Sequence, residues 1–264
     1  MLDRIRQLFA ADRHRPGNAG AGAPRIPDGE RVYAIGDVHG RLDLFQALIA
    51  AIEADDAARG PSDTLIVLLG DLVDRGPDSA GVVAAARALA ERREVRALMG
   101  NHEEMFLRAL DDEQALRQFL RVGGKETVLS YGIERQHYRS LELGELLALL
   151  NERVPVSDRA FLLGMEDHVA VGDYVFVHAG IRPGIDMAEQ KQSDMRWIRE
   201  PFLSHPHPHE ACVVHGHTIR RAVEFWPHER APNRIGIDTG AYDSGRLTAI
   251  GLQGADRWFM DTAD

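Results

Sequence analysis

From residue 31 onward the chain repeats one pattern: a short apolar run, a tight polar turn, then a stretch with apolar residues three and four apart. Residues 31–35 predict a strand that stops at Gly36-Asp37-Val38-His39-Gly40. Leu44, Phe45, Leu48, Ile49 and Ile52 then recur at helical spacing. Residues 64–69 are almost continuously apolar, as suits a strand covered on both faces, and stop at Gly70-Asp71-Leu72-Val73-Asp74-Arg75-Gly76-Pro77. Residues 79–90 read as the next helix, and 95–99 as a third strand ending at Gly100-Asn101-His102-Glu103. Residues 105–165 read as mostly helical, interrupted at Gly123-Gly124 and Tyr131-Gly132, and are expected to form a helical insert or cap over the sheet. Strands return at 174–177, 212–214, 235–237 and 247–251. This alternation predicts an α/β fold with mixed sheets.

Composition narrows the class. The 264 residues suit one large domain or two small ones, and 44% hydrophobic with 27% charged residues excludes disorder and fibrous repeats. A net charge of −10 argues against a broad basic face for nucleic acid. The single cysteine, Cys212, excludes an internal disulfide framework and a four-cysteine zinc site, and a reducing, cytoplasmic setting is expected. No apolar run approaches the roughly 18 residues of a membrane span, so no stable membrane insertion is expected. Residues 1–30 are expected to form an N-terminal helix, with Leu2, Ile5, Leu8 and Phe9 on one face, and a Gly/Ala/Pro-rich flexible tether over 16–29. They lack the unbroken apolar stretch of a secretory signal. The domain proper is expected over 31–264.

The chemistry lies just past the end of each strand. Five strands in succession lead into Asp37 and His39, Asp71 and Asp74, Asn101 and His102, His178, and His215 and His217. Loops at the carboxyl ends of strands in open α/β sheets converge on one crevice. Carboxylates gathered there are costly to bury without cations, and oxygen and nitrogen donors without thiolate suit Mn, Fe or Zn. No rival nucleophile stands out. Cys212 lies inside a strand, and Gly123-Gly124-Lys125-Glu126 lacks the spacing of a phosphate-binding loop. His205, His207 and His209 alternate with prolines and read as an extended surface loop. Trp197 and Trp226 read as packing aromatics.

Taken in order, GDVHG, GDLVDRGPDS, GNHEE, HAGIRPG and VVHGHT resemble the calcineurin-like metallophosphoesterases, in the branch that holds PPP-type serine/threonine protein phosphatases and symmetrical diadenosine tetraphosphatases. The resemblance implies a four-layer α/β/β/α sandwich and a binuclear centre of two divalent ions, Mn2+ foremost with Fe or Zn compatible. Carried over, Asp37, His39 and Asp71 hold the first ion. Asp71 bridges to the second, which Asn101, His178 and His215 complete. Two such ions lower the pKa of a bridging water and clamp phosphoryl oxygens for in-line attack. His102 is then expected to protonate the leaving oxygen, Asp74 to orient His102, and Arg75, with Asn101, to bind the phosphate. Arg199 and Arg182 compete for the role of a second phosphate clamp.

The expected substrate is a phosphoprotein or a small phosphorylated molecule. Asp74 and Arg75 together favour phosphoserine or phosphothreonine in proteins, although Met99 stands where the eukaryotic enzymes carry arginine. A dinucleoside polyphosphate such as diadenosine tetraphosphate is the alternative, supported by GDVHG, HAGI and IDTGA. A non-catalytic metal-bound scaffold is disfavoured, because His102 and all six expected ligands are present.

Overall fold

The computed structural model describes residues 23–227 and 232–263. Two five-stranded mixed sheets form its centre. The first has the order β10-β9-β1-β2-β3, built from β1 (Glu30–Ile35), β2 (Asp63–Leu68), β3 (Glu94–Ala97), β9 (Thr248–Gln253) and β10 (Asp256–Asp261). β1, β2 and β3 run parallel, with Ile35 beside Leu68 and Leu68 beside Ala97, while β9 and β10 return antiparallel. The second has the order β4-β5-β6-β8-β7, from β4 (His168–Val171), β5 (Tyr174–Val177), β6 (Cys212–His215), β7 (Glu224–Trp226) and β8 (Arg234–Gly236). β5, β6 and β8 are parallel, with Val177 beside His215 and His215 beside Gly236. The carboxyl ends of three parallel strands in each sheet therefore lie level with one another within their sheet.

The period-two geometry of a strand explains the apolar runs. Val32 and Ala34 of β1 face the second sheet and join Val67, Phe176, Val214, Ile235 and Ile250 in the inter-sheet core. Tyr33 and Ile35 point the other way, against Phe45, Leu48 and Ile52 of α1 (Leu42–Ala58) and Val82 and Val83 of α2 (Ser79–Ala90). Each such buried aliphatic or aromatic side chain stabilises the fold by about 1.5–3 kcal/mol relative to exposure. The outer face of the second sheet carries Val177 and Val213, covered by Met195, Ile198 and Phe202 from α9 (Gln192–Trp197) and the loop after it. The result is the expected four-layer α/β/β/α sandwich.

Residues 101–163 supply the helical insert: α3 (Asn101–Ala109), α4 (Glu113–Phe119), α5 (Lys125–Ser130), α6 (Arg135–Ser140), α7 (Leu143–Arg153) and α8 (Val156–Leu163). They extend the helical layer on the first sheet, since Phe106, Phe119, Val128 and Leu146 share the core of Phe45 and Val82. A kinked turn, Leu120–Gly124, joins α4 to α5, and Gly123 there leaves helical geometry with φ +115°. An added Cβ would stand 2.8 Å from Cγ of Arg75, so glycine is needed both for the backbone and for the close approach. The expected Gly123-Gly124 break is thus a contact point with a site loop.

Three strands, β4, β7 and β10, have no counterpart among the strands expected from apolar runs. All are sheet edges; β7 and β10 carry charged residues that discourage further pairing, while β4 is a short apolar edge of four residues. The expected N-terminal helix lies outside the described residues. The end of the expected tether is fixed: Ile26 is buried, its N–H donates to Gly254 O at 2.8 Å, and the Arg25 N–H donates to Asp173 at 2.9 Å. Among the described residues no helix is long and apolar enough to cross a membrane. His205 and His209 stack with centroids 5.3 Å apart, and His209 packs on Phe202, so the prolyl-histidyl loop is braced by ring contacts.

Candidate metal centre

The loops after β1, β2 and β3 meet those after β5, β6 and β8 at one end of the two sheets. Their backbone is strained there. His39, Asp71, Asp74, Arg75 and His217 all have positive φ, between +46° and +74°, and among the described residues no other non-glycine does. Left-handed backbone costs such residues on the order of 1–2 kcal/mol each, so surrounding bonds must hold it. Glu103 supplies several of them. Fully buried in the first turn of α3, its carboxylate accepts from the N–H groups of Gly100 (3.0 Å), Asp71 (2.8 Å), Leu72 (2.7 Å) and Val73 (3.2 Å). Burial and the nearby Asp71 push its carboxyl up to about 8, against the pull of those N–H donors. At Gly100 a Cβ would lie 2.2 Å from Asp71 Oδ1, so the helix start can approach the carboxylate only as glycine.

Asp71 is the hub. Its Oδ1 lies 3.4 Å from His178 Nε2, and its Oδ2 lies 3.6 Å from His39 Nε2 and 3.9 Å from His102 Nε2. Two groups of buried donors share it, His39 with His102 and His178 with His217, each set with its ligand atoms within 4.8 Å of one another. Asn101 joins the second: its Oδ1 is 3.1 Å from His178 Nε2 and 2.9 Å from His217 Nδ1. Backbone carbonyls orient the rings. His39 Nδ1 donates to Val73 O and His178 Nδ1 to Leu69 O, both at 2.8 Å, which leaves each Nε2 as a lone pair facing Asp71. Asp37 is buried and accepts the His217 N–H at 3.0 Å.

The electrostatics suit cations. Burial pushes Asp37 and Asp71 up, and Asp37 is raised further by Asp238 and Asp71. Burial pushes His39 and His217 down and takes His178 to about 3, so these imidazoles are neutral and able to ligate. Asp238 rises to about 6 through burial, and its Oδ2 is buried without a partner, as are Nε2 of His217 and Nε2 of His215. Clustered carboxylates, neutral imidazoles and orphaned donor atoms fit two divalent cations sharing Asp71.

His102 and Asp74 form a second unit. His102 Nδ1 donates to Asp74 Oδ2 at 2.6 Å, while Nε2 accepts from Arg75 Nη2 at 2.9 Å. The other guanidinium nitrogen, Nη1, donates to His39 Nε2 at 2.8 Å, so Arg75 spans the mouth of the cluster. Tyr242 lies over it, its ring 4.9 Å from the guanidinium carbon and 5.5 Å from the His39 ring.

The structure separates residues that share a motif. His215 does not reach the cluster: its Nδ1 donates to Gly216 O, and its ring lies edge-on to Phe202, on the outer face shared with Val213. The imidazole beside Asp71, His178 and Asn101 is that of His217. Strand alternation is the signal, since Val213 and His215 must point to the same face. Arg182 is held by Asp194 through bonds of 2.7 and 2.8 Å. Exposed Arg199 instead has its positive charge felt at Asp71, His178 and His217. Glu103 and Asp238 stand inside GNHEE and IDTGA, which mark the stretches without revealing these two residues' parts in the site, and Tyr242 follows with no signal of its own.

Comparison with known proteins agrees with this geometry. The model of the calcineurin-like phosphoesterase family matches residues 30–239. The chain is 29% identical to "Serine/threonine-protein phosphatase 1" of Salmonella typhimurium, over 84% of this chain and 92% of that one. It is 25% identical to "Bis(5'-nucleosyl)-tetraphosphatase PrpE [asymmetrical]" of Anoxybacillus flavithermus, over 82% and 88% respectively. A crystal structure provisionally named a diadenosine tetraphosphatase superposes with a TM-score of 0.63 at 22% identity, covering 93% of this chain and all of that one.

Proposed function

The chain belongs to the calcineurin-like phosphoesterases, and within that family we propose that it hydrolyses a dinucleoside polyphosphate at a binuclear metal centre. The observation that carries the metal chemistry is Asp71, whose two oxygens face two different sets of ligands. Asp37, His39 and Asp71 would hold one cation, and Asp71, Asn101, His178 and His217 the other, with His217 in the place the motifs assign to His215. Two cations so held supply a deprotonated water and neutralise phosphoryl oxygens. The chain's own residues do the rest. Arg75 and Arg199 bind the phosphate from two sides. His102 presents Nε2 to the leaving oxygen, and Asp74 fixes its ring through Nδ1.

The substrate order reverses the one the motifs suggest. Exposed aromatic rings flank the cluster: Tyr242 beside Arg75 and His39, and Trp197, 41% exposed, whose Nε1 donates to Glu104 two residues from His102. Rings so placed suit nucleobases on either side of a bound polyphosphate, because base stacking on an aromatic face contributes about 1–3 kcal/mol. Relatives bearing the tetraphosphatase name support the same reading. The buried His102–Asp74 pair favours a second reading, phosphoserine or phosphothreonine, since an alkoxide leaving group needs protonation most.

Side-by-side kcat/KM on diadenosine tetraphosphate and a phosphothreonine peptide tests the choice. A dinucleotide preference of about tenfold or more is expected, and Tyr242→Ala should reduce it about tenfold through KM, the equivalent of one lost stacking contact. A peptide preference that survives Tyr242→Ala would overturn the nucleotide reading.

The ligand assignment is tested separately. His217→Ala should lower the bound cation content measured by elemental analysis, whereas His215→Ala should keep it. The opposite result would restore His215 as the ligand.

A further inference from the structure

We propose that Thr127 is a positioning residue for His102, so that the helical insert is part of the proton-transfer apparatus rather than a cover. The inference rests on His102 being the group that protonates the leaving oxygen. Thr127 lies in α5, remote in sequence from every motif loop, and is fully buried with Ser79 and Asp74. Its Oγ1 is 2.6 Å from Asp74 Oδ1, while Asp74 Oδ2 is the oxygen that holds His102 Nδ1, also at 2.6 Å. The two carboxylate oxygens are thus divided between the hydroxyl and the imidazole.

The donors can be assigned by elimination. A carboxylate facing these donors only accepts, so the single Thr127 hydroxyl hydrogen goes to Asp74 Oδ1. The contact of 2.9 Å between Ser79 Oγ and Thr127 Oγ1 must then use the serine hydrogen. The Asp74 N–H donates to both hydroxyl oxygens, each at 2.9 Å. The chain runs Ser79 to Thr127 to Asp74, and each hydroxyl hydrogen in it has one destination.

The same stretch fixes the backbone. Asp74 and Arg75 have φ +74° and +69°, and the Arg75 N–H donates to Gly123 O at 3.1 Å. The insert therefore grips Arg75 through the kinked turn at Gly123 and Asp74 through Thr127. Without the hydroxyl, Asp74 Oδ1 loses its donor and becomes a competing acceptor for His102, so the ring is no longer held in one orientation.

A leaving-group comparison distinguishes positioning from mere support. From 4-nitrophenyl phosphate the 4-nitrophenolate leaves without a proton, whereas from phenyl phosphate the poorer phenolate needs one as the P–O bond breaks. Thr127→Val should lower kcat on phenyl phosphate by about 10- to 100-fold and on 4-nitrophenyl phosphate by less than about threefold, a part of the full general-acid effect. Thr127→Ser, which keeps the donor, should restore both rates. If Thr127→Val melts below the assay temperature, Thr127→Ala takes its place. His102→Ala runs in parallel and should show the same selectivity, larger. Selective loss in His102→Ala but equal or no loss in the Thr127 variants would overturn the positioning role. No selectivity in His102→Ala would instead overturn the acid assignment beneath it, and the inference with it.

Discussion

Replacing Asp71 by Asn is expected to lower kcat/KM by at least about 10³-fold, the scale seen when a central catalytic element is removed. Asparagine keeps the shape and one ligating oxygen, as Asn101 already provides. Its amide nitrogen, however, cannot ligate a cation, and the two Asp71 oxygens face different imidazoles. Elemental analysis should find at most one cation in the variant and about two in the native protein. The metal-free variant should be more stable than the metal-free native protein at neutral pH. Burial raises the folded-state pKa of Asp71, so its charge opposes folding above that value. As pH falls below the ordinary carboxylate range, both states are protonated and the advantage of asparagine disappears. A variant that binds two cations and turns over within tenfold of the native rate would refute the bridging role, whatever its stability.

His102→Ala is the second large effect. A general acid contributes about 10²- to 10⁴-fold, and the loss should fall on kcat rather than KM. Metal content decides between two roles, because His102 also lies among the donors gathered around Asp71. Its Nδ1 is held by the Asp74 carboxylate, whereas the Nδ1 atoms of His39 and His178 are turned to backbone carbonyls, and this difference argues for acid and against ligand. Full cation occupancy with slow turnover is therefore expected. A lost cation would assign His102 to the metal instead.

Much of the candidate site is legible because each motif loop comes directly after an apolar strand, and a strand's period of two reports how its faces are covered. Thus Val32 and Ala34 against Tyr33 and Ile35 already imply layers on both sides of β1. The same rule, applied to Val213 and His215, puts His215 on the outer face; His217 has the same parity and comes beside Asp71 past the end of β6, where its backbone takes φ +63°. The edge strands β7 and β10 are not legible, since an edge needs no uniformly apolar pattern, and β4 has only four residues to show one.

Local periodicity and residue chemistry are enough to set the α/β class, the order of the strand-end loops, and the gathering of carboxylates, carboxamide and imidazoles in them. Packing in three dimensions brought His217 rather than His215 beside Asp71 and His178, and it locked Arg182 to Asp194 while leaving the charge of Arg199 to act on the cluster. It also brought Thr127 to Asp74 and four backbone donors to Glu103. A hydrogen bond between residues 53 positions apart depends on how two sheets and an insert pack, and that dependence leaves no trace in either neighbourhood of the chain.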